Sequence, residues 1–117
     1  MNKDLAVHHI PGTRFYVDFF RKPVPSGFPG PPIFFLSHFH GDHYSGLSAE
    51  WTRGRVICSP VTARLLVRIL GVSAEFVQEL EVDKRTEIDG SFVTFIDAHH
   101  CPGRPGSVWT LSPSRLL

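Results

Sequence analysis

The chain has 117 residues, 42% hydrophobic and 20% charged, with a formal net charge of +1. That length holds one small domain with one core, and the composition excludes a disordered polyelectrolyte. The near-zero charge gives no electrostatic reason to expect nucleic acid and none to exclude it, while the lack of any apolar run near the roughly 18 to 20 residues of a membrane span, and of an apolar centre after Met1-Asn2-Lys3-Asp4, argues against a membrane or a secretion signal.

In chain order, His8-His9 precede Pro11-Gly12 in an expected turn and read as surface residues. Residues 15–20, Phe-Tyr-Val-Asp-Phe-Phe, form an aromatic and β-branched run that reads as a strand. Residues 21–32 carry Pro23, Pro25, Pro29, Pro31, Pro32, Gly27 and Gly30, a density that forbids regular structure and makes a surface loop between strands. Ile33-Phe34-Phe35-Leu36 reads as a buried strand. It runs straight into Ser37-His38-Phe39-His40-Gly41-Asp42-His43, in which four metal-ligating side chains fall within six residues. Imidazole and carboxylate together suit zinc and other borderline divalent ions. His38 and His40 are two apart, so an extended or turning backbone can point both the same way. They are expected to hold one ion, with Asp42 and His43 directed to a second ion beside it across the turn at Gly41.

Val56-Ile57-Cys58 is a short strand candidate, and Ser59-Pro60 supplies an N-cap followed by proline at the first helical position. Val61, Leu65, Leu66, Ile69 and Leu70 predict the apolar face of that helix, and Gly71 its end. Arg64 and Arg68, four apart, read as a solvated face. Ser73 predicts the cap of a second short helix running through Phe76 to Leu80. Asp89-Gly90 is a turn signal, and residues 92–96 form a strand ending at Asp97-Ala98-His99-His100-Cys101-Pro102-Gly103. Adjacent His99 and His100 point apart, so at most one serves the same ion. Asp18 either hydrogen-bonds a ligand histidine and fixes its tautomer or stands at a strand end in water. The two cysteines, Cys58 and Cys101, allow one disulfide, but two reduced thiols in the cytosol or nucleus are expected, with Cys101 structural. Both ligand clusters thus follow apolar strands, the layout of an α/β sheet carrying its site at strand ends.

The block His38-Phe-His-Gly-Asp-His43 resembles the metal-binding motif of the metallo-β-lactamase superfamily. Phe15-Tyr-Val-Asp18, Phe35-Leu-Ser-His38, Tyr44-Ser-Gly-Leu47, Trp51-Thr-Arg53, Cys58-Ser-Pro-Val-Thr-Ala-Arg64 and Asp97-Ala-His-His-Cys-Pro-Gly103 narrow the likeness to the Artemis/Apollo-like DNA cross-link repair nucleases, from about residue 10 to 103. The resemblance implies an α/β fold, the four-layered αβ/βα sandwich, of which residues 1–117 would be the N-terminal half and residues 104–117 an off-family tail. It implies a nuclear 5′-to-3′ DNA exonuclease for cross-link repair, end processing and telomere maintenance. One or two divalent ions, Zn2+ foremost, would supply the attacking hydroxide, and DNA 5′ ends would be the partner. By the same resemblance His38, His40 and His100 are ligands, Asp42 and His43 serve a second ion, Asp42 also serves water activation, and Asp18 supports the site. The chain departs from the family pattern at His99, where asparagine is usual, and at Arg104-Pro105. It also lacks the family's next aspartate, its last site histidine and its β-CASP domain. The isolated chain is therefore expected to be inactive. A thioester or lactone hydrolase of the same fold is the other reading. Nothing in the sequence assigns an oligomeric state.

Overall fold

A computed structural model describes residues 8–24, 30–97 and 107–113. The chain divides into two compact units, Met1–Glu79 and Leu80–Leu117.

The first unit is built on a four-stranded parallel sheet in the order β1-β2-β3-β4, with β1 at Phe15–Val17, β2 at Ile33–Phe35, β3 at Val56–Cys58 and β4 at Val77–Glu79. Parallel neighbours need long crossovers. Here they are the proline-rich segment between β1 and β2, a segment holding the short helix α1 (Gly41–Tyr44), and the helix α2 (Pro60–Arg68). Side chains alternate across the sheet. Tyr16, Phe34, Leu36, Val56 and Cys58 fall in one buried cluster with Phe20, Leu47, Trp51, Ala63, Leu66 and Val72. Its centre is aromatic: Trp51 meets Phe20 and Phe34 edge-on at centroid distances of 5.5 and 5.0 Å, and its indole N–H donates to the Gly54 carbonyl at 2.8 Å. Phe15, Phe35 and Ile57 alternate with this set and are buried too, as expected of parallel strands. Burial pushes the Cys58 thiol up to about 12, with Glu79 adding to the shift, so it stays protonated at neutral pH.

The helix start agrees with the sequence. Ser59 Oγ accepts the Thr62 N–H at 3.3 Å, and Pro60 is the first helical residue. The buried face agrees in part: Leu66 is fully buried and Leu70 packs against the core, as predicted. Val61 and Ile69 are 59% and 63% exposed, while Thr62, Ala63 and Leu66 face inward. Thr62 and Ala63, which the apolar pattern passes over, complete the buried side. Gly71, at φ 74°, turns the chain so that the Val72 N–H returns to the Leu66 carbonyl. The second helix expected after Ser73 is a correction. Only a 3-10 turn, Ala74–Phe76, forms, the Ser73 side chain makes no capping bond, and Val77 enters β4. Pairing of Val77, Gln78 and Glu79 with β3 outweighs the local helix signal.

The second unit carries an antiparallel sheet, β5 (Thr86–Ile88), β6 (Ser91–Asp97) and β7 (Ser107–Pro113). Ile88 pairs with Ser91, leaving Asp89 and Gly90 as a two-residue turn with φ of 52° and 81°. Positive φ at both positions is the hairpin turn whose twist matches its strands. The strand β7 reaches Pro113, past the point where family resemblance stops. Among the described residues no helix is long and apolar enough to cross a membrane.

Candidate metal centre

Parallel pairing explains how residues distant in sequence meet. Val17 lies opposite Phe35, so the residues just beyond them, Asp18 and the Leu36-Ser37-His38 run, leave the sheet side by side at its C-terminal edge. Asp18 adopts φ 54°, the left-handed region, which costs of order 1 kcal/mol for a non-glycine residue. Its own N–H still donates to the Phe35 carbonyl at 2.8 Å. Its carboxylate accepts three hydrogen bonds: the Ser37 N–H at 2.8 Å, the Ser37 hydroxyl at 2.6 Å and His43 Nδ1–H at 2.8 Å. The Asp18 side chain is only 11% exposed.

The chain then tightens into a turn. The His40 N–H donates to the His38 carbonyl, and the N–H groups of His43 and Tyr44 both donate to the His40 carbonyl, opening α1. Phe39 and Tyr44 stack at 4.5 Å between centroids and brace the turn. The result gathers His38, His40 and His43, whose ligand atoms all lie within 4.8 Å of one another. A tetrahedral ion with Zn–N bonds of about 2.05 Å holds nitrogens roughly 3.4 Å apart, so closure on zinc needs side-chain adjustments of about 1 Å or so. His38 is partly buried and its pKa is lowered, first by desolvation and then by His43 and His40 against the opposing pull of Asp18. The cation is disfavoured, and the neutral imidazole is the form that ligates.

His43, which the sequence directs to a second ion, converges on the same space as His38 and His40. Asp42 sits exposed in the first turn of α1, outside this group of three. Asp18 takes the hydrogen-bonded position rather than the watery one. His8 and His9 hydrogen-bond the carbonyls of Val17 and Thr13 instead of facing solvent freely. His99, His100 and Cys101 lie outside the described residues. Sequence reasoning missed Ser37, because a serine before a histidine carries no signal until the fold brings Asp18 beside it. An open cleft of about 220 Å3, lined by α2 residues with Ala74, Val77 and Glu79, contains none of these histidines. The group that could hold an ion lies at the strand ends, not there.

No family model matches the chain. Over 94 residues, 80% of the chain, it is 45% identical to DNA cross-link repair protein SNM1 of Arabidopsis thaliana, covering 19% of that protein. Over that stretch the chain is homologous to DNA cross-link repair proteins. It is also 44% identical to the 5′ exonuclease Apollo of Gallus gallus over 95 residues, 80% of the chain and 20% of that protein. A segment of DNA ligase 6 of Arabidopsis thaliana is 52% identical over 94 residues, again 80% of the chain but 6% of that protein. The chain therefore spans a fifth or less of the length of these relatives.

Proposed function

We propose that the chain carries the first ligand cluster of a metal-dependent nuclease that hydrolyses phosphodiester bonds from DNA 5′ ends during cross-link repair. The observation that carries this reading is the convergence of His38, His40 and His43 beside the Asp18 carboxylate. The donor set suits zinc: neutral imidazoles, one of them braced by a carboxylate. His38, His40 and His43 would hold the ion, and Asp42 would stand ready for a second ion or for orienting water. When bound, such an ion supplies Lewis acidity and a source of hydroxide near neutral pH. The protein's own part is to present the imidazole nitrogens unprotonated and to fix their directions. The kinship with cross-link repair proteins supports DNA as substrate and the nucleus as the place of action. We propose further that residues 1–117 form part of a metallo-β-lactamase-like αβ/βα domain, completed by segments beyond this chain.

The test uses a longer form of the protein that includes this segment, with a 5′-phosphorylated, 3′-fluorescent DNA strand. Stepwise shortening that chelation abolishes and zinc restores is expected, as is its loss in H38A and H40A. No metal-dependent shortening would overturn the assignment. Thioester turnover in its place would favour the other hydrolase reading. For the 117-residue chain alone we propose metal binding without turnover, because it spans so little of its relatives. Efficient cleavage by the purified chain would refute that.

A further inference from the structure

We infer that Ser37 is a positioning residue: its hydroxyl holds His38 in the Nδ1–H tautomer and so leaves Nε2 as the nitrogen open to an ion. The inference rests on the metal reading above and goes past the histidines to the group that sets their protons. The Ser37 hydroxyl stands 2.6 Å from Asp18 Oδ2 and 3.0 Å from His38 Nδ1. A hydroxyl has one proton to give. The ionised carboxylate has none, so the proton on the short contact belongs to serine and points at Asp18. The contact to His38 then forms only if the ring nitrogen donates and the serine oxygen accepts.

His43 reaches the same carboxylate oxygen directly, through Nδ1 at 2.8 Å. One oxygen of Asp18 therefore fixes two imidazoles, His43 by contact and His38 through the Ser37 hydroxyl. Neutral imidazole left to itself favours the Nε2–H form. In that form the nitrogen remaining for an ion is blocked by a proton. Removing the Ser37 hydroxyl takes away the acceptor that holds His38 against this preference. The Ser37 backbone N–H keeps its bond to Asp18 Oδ1 in any variant, so the turn retains its main anchor.

The experiment compares the wild-type chain with S37A and S37T. Long-range proton–nitrogen NMR spectra of the metal-free protein, at a pH where the rings are neutral, read the tautomer of each histidine. Titration with zinc against a chromophoric chelator reads affinity. Nδ1–H is expected for His38 in the wild type and in S37T. S37A is expected to move His38 toward Nε2–H and to weaken zinc binding about 10- to 100-fold, the usual cost of losing a group that orients a ligand. His43 should keep its tautomer in all three proteins, a pattern that general loosening would not produce. Finding His38 as Nε2–H in the wild type overturns the inference without any variant, as does an S37A protein with unchanged tautomer and affinity. If the wild type shows the Nδ1–H form but takes up no zinc, the metal reading fails and the Ser37 assignment stands.

Discussion

Replacing Asp18 by asparagine tests the arrangement most sharply, because asparagine keeps the shape of the side chain and tolerates the left-handed backbone at φ 54°. The amide oxygen can still accept the Ser37 N–H. The amide nitrogen, however, replaces Oδ2, which accepts both the Ser37 hydroxyl at 2.6 Å and His43 Nδ1–H at 2.8 Å. Two donors would face a third. Hydrogen bonds to a charged acceptor are worth about 1.5 to 3 kcal/mol each. The hydroxyl can rotate, and His43 can move its proton to Nε2 and accept from the amide, so part of that loss is recovered. A net destabilisation of about 1 to 3 kcal/mol is expected for the metal-free protein. The recovery has a consequence, since His43 in the new tautomer turns a protonated nitrogen toward the ion. Zinc affinity should therefore fall about 10- to 100-fold, or about 1.4 to 2.7 kcal/mol, beyond the stability loss. Thermal unfolding of the metal-free proteins and competitive zinc titration separate the two effects. Zinc binding by D18N within threefold of wild type would show that the carboxylate does not set the ligand, and the reasoning would fall.

Three further outcomes are expected. His38 should titrate below the ordinary imidazole value of about 6.5, since burial and the neighbouring imidazoles disfavour its cation. With the folded value depressed, its stability contribution is complete above pH 6.5 and is lost as acidification proceeds below it, and an NMR midpoint at or above 6.5 would contradict this. In a C101S background, Cys58 should resist a thiol reagent at pH 8 until the protein unfolds, because its folded pKa is about 12 and its side chain is buried; rapid labelling of the folded protein would refute that placement. G46A should destabilise by about 3 kcal/mol or more, whereas G90A should cost about 1 kcal/mol. Both glycines have positive φ, but a Cβ at Gly46 would overlap the Phe20 backbone while one at Gly90 meets nothing within 4 Å, so equal unfolding midpoints would count against the structure.

The parts of the fold that announce themselves in sequence are those with local causes. Ser59-Pro60 starts a helix, Asp89-Gly90 makes a hairpin, and the apolar triplet Val56–Cys58 is a strand. The parts that do not depend on distant partners. The strand β4 forms because β3 lies beside it, and a helix cap at Ser73 gives way. Periodicity found Leu66 on the buried side of α2 but passed over Thr62 and Ala63 and put the exposed Val61 and Ile69 there instead, because it counts apolar residues alone. The candidate site divides likewise. Three histidines within six residues stand out on their own, but the link from Asp18 to Ser37 crosses 19 positions and exists only once β1 and β2 pair.

That long link makes the Ser37 amide a private gauge of the histidine cluster. Its hydrogen ends on a side chain rather than in the ladder between strands. Sheet amides exchange with deuterated solvent only when strands part, whereas this one is released whenever the carboxylate swings away. The ratio of its exchange rate to that of the Leu36 amide, which is bonded to the Ile57 carbonyl, would report how often the cluster loosens while the sheet stays shut.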